Sequence, residues 1–470
     1  MQNSQVPSNG CGRKFWRDMH HFKLLAICLA LEPGRHPPTQ TFHIAPMQCY
    51  TNAPLRKLFH LLSPASIKWT EMEKVDDIFP KAMESTSPNN RRLLLDALEK
   101  RFGPSERYDE SNLVLQLGSN DPHRLQSCIR NTLQYYSFEG ININCGCPSI
   151  ESGGAATYGA SLMKDASLTG RLVESMRRGL ESDCGTTTKA NKASTSISVK
   201  CRIAVFDQTD DVHHPLRDDD YQFLKNYVST VHDAGANQII LHARPAILSG
   251  ISPVKNRIVP RLNYDFVEKI AADFPEMDVT LNGGIQSLSH LKTLQGRHQS
   301  VMAGRWCLRR PLDLVGVEAL LGKDKGIESK LAERAVRQYV DYAVQMASST
   351  KQQFTISDLC LPLFLIVEQL REDYDYDFDY DCGKDGENGY DSKSLPEEPF
   401  LSYGDIESLY RIIQDGVKQI ESFSKNKRDK KKPKIKENTD SINLKRLSSS
   451  FKTLVGTKVA NKWKRNRSEL

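Results

Sequence analysis

The chain lacks any apolar run long enough to cross a bilayer. Its N-terminal apolar stretch, Leu24 to Leu31, falls far short of the roughly 20 residues that a spanning helix needs, and Pro-rich sequence follows it. We therefore expect no membrane-spanning segment. The chain also lacks a strong charge excess, because its net charge is only +6. That charge is unevenly distributed, so local patches are more informative than the sum, and an anionic partner is compatible with it.

The 11 cysteines show no paired spacing of the kind that binds zinc. Cys145 and Cys147 are separated by one residue, which is too close for a normal zinc clip or a thioredoxin motif. We expect no metal site, and reduced thiols in an intracellular enzyme fit this distribution best.

Residues 1–40 form an extension whose basic residues outnumber its acidic ones, with Arg13, Lys14, Arg17, Lys23 and Arg35 against Asp18 and Glu32. This composition fits a disordered tail about as well as an organelle-targeting peptide. A cytoplasmic location and an organellar one, in a mitochondrion or plastid, therefore both stay open.

From about Thr41 to Trp306, short apolar runs alternate with longer amphipathic stretches. This alternation is typical of repeated strand–helix units, and it predicts an α/β fold with a (β/α)8 TIM barrel over residues 41–310. Eight candidate strands end near Met47, Glu71, Leu117, Asn144, Arg202, His242, Asn282 and Gly304. Because the carboxyl ends of barrel strands meet at one mouth, we expect a single site there. The Thr/Ser/Lys-rich piece from Cys184 to Ser196 is expected at the opposite end and to be dispensable.

Helical periodicity replaces the barrel pattern after Pro311, over residues 332–346, 359–370 and 406–423. It predicts a small helical domain over 311–470, interrupted by disordered charged insertions at about 371–400 and 424–440. The final segment, 447–470, is amphipathic and carries basic residues that include Lys464 and Arg465. Two interpretations stay open for it, a solvated helical face or a polyanion-binding end.

An apolar run ends abruptly in Asn142, Asn144, Cys145, Gly146 and Cys147, followed by a proline. A buried strand does not hold such amides without partners, and the Gly-Cys-Pro turn fixes one thiol. Cys147 is either a small buried hydrophobe or a proton donor and acceptor. Cys145 is expected to pack inward, and Asn144 to contact substrate or cofactor.

Two glycine turns follow the seventh and eighth predicted strands, Asn282-Gly283-Gly284 and Ala303-Gly304-Arg305. Barrels commonly hold a phosphate at this place, and Arg305 would add a charge, although tight turns alone also explain such glycines.

Gln116, Lys200 and His242 lie at three further predicted strand ends. Lys200 suits either the electron-rich edge of a flavin or a simple salt bridge.

These blocks resemble the tRNA-dihydrouridine synthase family, and within it the A-type subfamily. The resemblance covers essentially the whole barrel, in family order, through residues 44–47, 116–118, 142–149, 159–163, 199–202, 242–244, 248–250, 255–257, 282–284 and 304–305. It implies an FMN enzyme that uses NADPH to saturate the C5–C6 double bond of particular uridines in the D-loop of tRNA.

The resemblance also implies roles for individual residues. It implies that the flavin is lined by Pro46, Met47 and Gln48, bonded at its ring by Gln116 and Lys200, and held on its phosphate side by His242, Asn282, Gly283, Gly284, Gly304 and Arg305. Cys147 would be the general acid, as a protonated thiol. The extruded base would meet Asn144 and Arg202, and the tRNA phosphates would meet Lys255, Arg257, Lys464 and Arg465.

The chain departs from A-type bacterial relatives at Val254, where they often have lysine, with Lys255 displaced by one. Two other functions stay open. One is an FMN-dependent barrel oxidoreductase acting on a free pyrimidine, which would not need the basic helix at 458–467; the other is a non-catalytic RNA-binding protein, which would be colourless. We expect a monomer.

Overall fold

The computed structural model describes residues 40–80, 88–104, 112–148, 158–181, 195–208, 215–322, 328–349, 353–381 and 403–425. The predictions for the N-terminal extension, for most of the Thr/Ser/Lys-rich piece, for most of both charged insertions, and for the final segment with Lys464 and Arg465 lie outside these residues.

Ten strands occur in the described part of the chain: β1 (Thr41–Ile44), β2 (Lys68–Lys74), β3 (Leu113–Gly118), β4 (Gly140–Cys145), β5 (Ser196–Arg202), β6 (Val205–Phe206), β7 (Gln238–His242), β8 (Ala246–Ile247), β9 (Asp278–Asn282) and β10 (Ser300–Ala303). Eight of them form one parallel sheet in the order β1-β10-β9-β7-β5-β4-β3-β2, and β6 pairs with β8. A parallel bridge between His43 and Ile67 joins β1 to the residue before β2. The predicted barrel is therefore confirmed.

The barrel strands alternate with helices, as the sequence pattern predicts. These are α1 (Ala53–Leu62), α2 (Val75–Ile78), α3 (Pro88–Phe102), α4 (Pro122–Thr132), α5 (Ala166–Glu181), α6 (Asp218–Asp233), α7 (Tyr264–Asp273), α8 (Leu288–Leu294), α9 (Arg305–Arg309) and α10 (Asp313–Leu320). Local sequence sets their starts. Before α4, for example, the Asp121 carboxylate accepts from the N–H groups of His123 and Arg124, and Pro122 occupies the first turn.

The period of two along each strand divides its side chains between the helices and the barrel axis. In β4, Ile141, Ile143 and Cys145 join the large apolar core beneath the helices, whereas Asn142 and Asn144 bond to other polar side chains. A smaller cluster, from four strands and the residue after β1, fills part of the interior: Ala45, Trp69, Val114, Ile240 and Met302. The barrel interior therefore contains both an apolar cluster and a separate group of polar side chains.

Within the part of the chain that the structure describes, three long helices follow the barrel: α11 (Glu328–Ser348), α12 (Ile356–Asp381) and α13 (Tyr403–Lys425). Arg310, just after α9, forms an ion pair of 2.7 Å with Asp373 on α12, which joins this helix to the barrel. Because α12 continues to Asp381, the start of the segment predicted to be a disordered insertion is helical. Among the described helices, none is long and apolar enough to cross a membrane.

Candidate functional site

A chain of side-chain amides lies at the ends of β3 and β4. Asn144 donates through Nδ2 to Oε1 of Gln116 over 3.0 Å, and Gln116 donates through Nε2 to Oδ1 of Asn142 over 2.9 Å. Asn142 then donates to Oγ of Ser198 on β5 over 2.9 Å. Gln116, Asn142 and Ser198 are buried, so each amide obtains from its neighbours the partners that burial requires.

The loop that carries Cys147 is held from both sides. Oδ1 of Asn144 accepts the backbone N–H groups of Gly146 and Cys147, each over 3.1 Å. The carbonyl of Cys147 accepts the N–H of Ala160 over 2.8 Å. Gly159, at φ +76°, permits this approach, because a Cβ there would lie 2.5 Å from the Cys147 oxygen.

Cys147 is a reduced and partly exposed thiol, whereas Cys145 is fully buried. Burial raises the pKa of Cys145 to about 12, so that thiol stays protonated and apolar in character. The charges of Lys200 and Arg202 both interact with Cys147. The two cysteines of this strand end therefore have different environments, and Cys147 is the accessible one.

Arg202 is almost completely buried and connects three loops. Its guanidinium donates to the carbonyls of Gly146, Pro245 and Asn256 over 3.0, 3.0 and 3.1 Å. Asn256, also buried, holds the β8 strand by accepting from the N–H of Ile247 over 2.8 Å and donating to its carbonyl over 2.7 Å. These bonds give Arg202 a structural role, and its contact with a substrate stays a prediction.

The mouth of the barrel concentrates positive charge. Burial, and next the charge of Arg202, lower the pKa of Lys200 to about 8. The pKa of Arg202 itself is lowered to about 9, chiefly by burial. His242 has its pKa lowered well below the ordinary value by burial and by these two cations, so it is neutral at pH 7. The same electrostatic group includes Arg244, Arg257 and Arg305. Among the described residues, the largest electrostatic influences on these cations include no carboxylate.

Both glycine turns lie at this mouth. Gly283 and Gly284 have φ of +113° and +78°, and a Cβ on Gly283 would lie 2.6 Å from Cδ2 of His242. The hydroxyl of Tyr264 donates to the carbonyl of Gly283 over 2.7 Å, which fixes the turn. A Cβ on Gly304 would lie 3.1 Å from Sδ of Met47, so the ends of β10 and β1 are also close.

The remaining predicted residues lie around this centre. Gln48 is exposed and donates to Oε2 of Glu71 over 3.0 Å, next to Pro46 and Met47 in the β1 loop. Arg305 donates to the carbonyl of Arg257 over 3.3 Å. Lys255 is exposed on the same turn as Arg257.

A family model described as dihydrouridine synthase matches residues 43–381. This match covers more than half of the chain, including the barrel and the start of the helical domain. The chain belongs to the dihydrouridine synthase family.

Several bacterial relatives carry the name tRNA-dihydrouridine(20/20a) synthase. The one from Shewanella oneidensis is 29% identical over 65% of this chain and 79% of its own length. The one from Xanthomonas campestris is 32% identical over 62% of this chain and 74% of its own length. The one from Escherichia coli is 30% identical over 65% and 80%. A crystal structure of phosphonopyruvate hydrolase aligns with 12% identity and a TM-score of 0.33, covering 64% of this chain and 87% of that one.

The barrel mouth suits a flavin nucleotide on grounds of charge. The largest electrostatic influences on its cations include no carboxylate among the described residues, and its two glycine turns let neighbouring strand ends approach closely. A phosphate would relieve the repulsion among Lys200, Arg257 and Arg305. As a member of the dihydrouridine synthase family, the protein is a flavin-dependent oxidoreductase.

Three residues of this dihydrouridine synthase site were not identified from the sequence: Arg244, Asn256 and Tyr264. Arg244 belongs to the cation cluster, Asn256 anchors the loop held by Arg202, and Tyr264 fixes the Gly283 turn. Tyr264 gave no local signal, because it begins a barrel helix and reaches the mouth only through tertiary packing. Arg244 and Asn256 lie in the sequence blocks that resemble the family, so that resemblance could have identified them as site residues.

Proposed function

We propose that this protein is an FMN- and NADPH-dependent tRNA-dihydrouridine synthase that reduces the C5–C6 double bond of a uridine in the D-loop of tRNA. The observation that carries the proposal is that the accessible Cys147 thiol and a cluster of cations lie at one barrel mouth, where the largest electrostatic influences on those cations include no carboxylate among the described residues. The relatives' names support uridines 20 and 20a as the targets. In this proposal the barrel, 41–310, carries the chemistry, and the monomer's helical domain, 311–470, binds tRNA.

The flavin would be held by groups from six strand ends. Pro46, Met47 and Gln48 would line it, and Lys200 and Gln116 would face its ring. On the phosphate side we assign His242, Asn282, Gly283, Gly284, Gly304 and Arg305. Neutral His242 suits this position because it lies close against Gly283 and can donate one N–H without adding charge. When bound and reduced by NADPH, the flavin supplies the hydride that adds to C6 of the base.

Cys147 would donate the proton that C5 requires. Transfer from Sγ to C5 leaves a thiolate close to the charges of Lys200 and Arg202, and a solvent proton then restores the thiol. The loop bonds from Asn144 and Ala160 hold Cys147 in place during this transfer.

The uridine has to leave its stack to reach this mouth. Asn144 would support the base indirectly through the loop that it holds, and Arg202 would do so through Gly146. Exposed Lys255 and Arg257 would bind tRNA phosphates at the rim, and Lys464 and Arg465 would extend that surface.

Mapping dihydrouridine in tRNA from cells with and without this protein tests the proposal directly. We expect the modification to be absent at specific D-loop positions in the cells that lack it, and the purified protein to be yellow. A colourless protein would favour the RNA-binding alternative. Equal reduction of free uridine by full-length protein and by a variant lacking 458–467 would favour the free-pyrimidine alternative.

A further inference from the structure

The orientation of the buried amides is dictated by the backbone of the cysteine loop. The N–H groups of Gly146 and Cys147 can only donate, so the atom of Asn144 that faces them must be the oxygen. The amide nitrogen of Asn144 then has to face Gln116, where it lies 3.0 Å from Oε1. The loop therefore fixes which way Gln116 is turned.

The same logic continues away from the loop. With its oxygen occupied by Asn144, Gln116 directs Nε2 to the oxygen of Asn142 at 2.9 Å, and Asn142 directs its nitrogen to the hydroxyl of Ser198 at 2.9 Å. Reversing any single amide would bring two donors or two acceptors together in a buried place. The four side chains therefore have one consistent arrangement.

We propose that Asn142 is a positioning residue, which acts through Gln116 and Asn144 to hold the cofactor-facing amide and the Cys147 loop in one fixed arrangement. This inference rests on the proposed function, in which Gln116 faces the flavin. One N–H of Gln116 is used by Asn142, and the second N–H is left as the donor toward a ring acceptor. Ser198 completes the arrangement from β5, the strand that also carries Lys200.

The test compares Asn142→Leu with Asn142→Asp in the full-length chain. Aspartate keeps the oxygen that accepts from Gln116, and the rotatable Ser198 hydroxyl can donate to its other oxygen, whereas leucine offers neither. Two quantities are measured: the Kd for FMN, from quenching of FMN fluorescence, and the rate of iodoacetamide alkylation in flavin-free protein, resolved by peptide mass spectrometry. Exposed Cys49 serves as the internal reference for Cys147.

For Asn142→Leu we expect the Kd for FMN to rise about tenfold or more, and the Cys147-to-Cys49 alkylation ratio to rise at least about threefold, because the loop loses its fixed anchor. For Asn142→Asp we expect both values to stay within about threefold of wild type. Should Asn142→Leu not fold, Ser198→Ala is expected to shift both values in the same direction, and Ser198→Thr to leave them unchanged.

Thr280→Val is the matched control. Thr280 is also fully buried in the barrel and shares a 2.8 Å hydrogen bond with Ser300, but it belongs to a separate polar cluster with His43. The proposal would be overturned if Thr280→Val and Asn142→Asp changed the Kd for FMN and the alkylation ratio as much as Asn142→Leu does. It would also be overturned if Asn142→Leu gave wild-type values. Wild-type protein that binds no FMN would overturn the proposed function instead, while the alkylation ratio would still test the positioning role.

Discussion

Nζ of Lys200 lies 3.1 Å from Oδ1 of Asn282, so a single hydrogen bond joins the ends of β5 and β9 across the barrel mouth. Asn282 donates through Nδ2 to the carbonyl of Met302 over 2.9 Å, which forces its oxygen toward the lysine. The lysine thus has an amide partner here, and its charge is repelled by Arg202 and Arg257. A cation held at such a cost is typical of a binding site for an anionic or electron-rich ligand.

Lys200→Met should raise the thermal stability of the flavin-free protein and weaken FMN binding. The lowered pKa means that the folded state penalises the lysine charge, by about 3 kcal/mol at pH 7. Removing the amine also removes a charged donor to the cofactor, for which we expect a loss of about tenfold or more in affinity. Differential scanning fluorimetry and FMN titration measure the two effects. A variant with lower stability and unchanged affinity would contradict this assignment.

The pH dependence of the stability gained by Lys200→Met follows from the direction in which the pKa of Lys200 is shifted. Between the folded pKa of about 8 and the unfolded value of 10.5, the unfolded chain binds more protons, so the penalty fades as the pH rises. The difference in melting temperature between Lys200→Met and wild type should therefore be largest below pH 8 and shrink toward pH 10.5.

Glu73→Gln should flatten the dependence of stability on pH between 4.5 and 7. Burial raises the pKa of Glu73 to about 7, although Arg101 lies 2.8 Å away and acts in the opposite direction. In this window the folded state binds more protons than the unfolded state, so wild-type stability should fall as pH rises. Melting temperatures at pH 5 and 7.5 measure the slope. Glu333→Gln, on the exposed pair with Arg337, should keep the wild-type slope.

The sequence was sufficient for the barrel because strand and helix periodicities are local properties of the chain. The strands β5, β7 and β9 end at Arg202, His242 and Asn282, as predicted. Residues 371–381, which their composition assigned to the first charged insertion, continue α12 to Asp381. There Asp373 pairs with Arg310, a tertiary contact that composition does not encode.

The site also has some features that local sequence predicts and others that depend on tertiary contacts. Strand-end positions and glycine turns could be recognised from spacing, whereas the burial of Arg202 and its three carbonyl partners could not. The family resemblance implied that Arg202, at a predicted strand end, meets the extruded base. In the folded chain, loops from β4, β7 and the turn at Asn256 cover it.

Gly283→Ala should abolish measurable FMN binding, or weaken it at least tenfold, and destabilise the protein. The new Cβ would lie 2.6 Å from His242 Cδ2 in a residue with φ of +113°. Gly296→Ala is the matched control, because Gly296 also has positive φ, +77°, but no heavy atom lies within 4 Å of the position that a Cβ would take there. Backbone strain of about 1–2 kcal/mol is expected for both variants, and only Gly283→Ala should lose the cofactor. Equal FMN affinities in the two would exclude a role for this turn.

Cys147→Ala should retain FMN and NADPH oxidation but reduce uridine in tRNA about 10²–10⁴-fold more slowly, because C5 loses its proton donor. Single-turnover reduction of tRNA by the pre-reduced enzyme isolates this step. Cys128→Ala, which removes a fully buried thiol of α4, should lower stability without changing that rate. An unchanged rate in Cys147→Ala would remove the cysteine from its assigned role.

Arg257→Ala should weaken tRNA binding uniformly and reduce the slope of log Kd against log salt concentration by about 1, as expected for the loss of one phosphate contact. Arg257 is exposed at the rim, and it is its backbone carbonyl that accepts the hydrogen bond from Arg305, so the substitution leaves that bond in place. Lys292→Ala provides the comparison, because Lys292 is an exposed cation in the last turn of α8, on the outer layer of the barrel. Binding titrations at several salt concentrations give both slopes. An equal change of slope in the two variants would mean that tRNA binding depends on the overall charge of the protein. The phosphate contacts would then lie elsewhere than at Arg257.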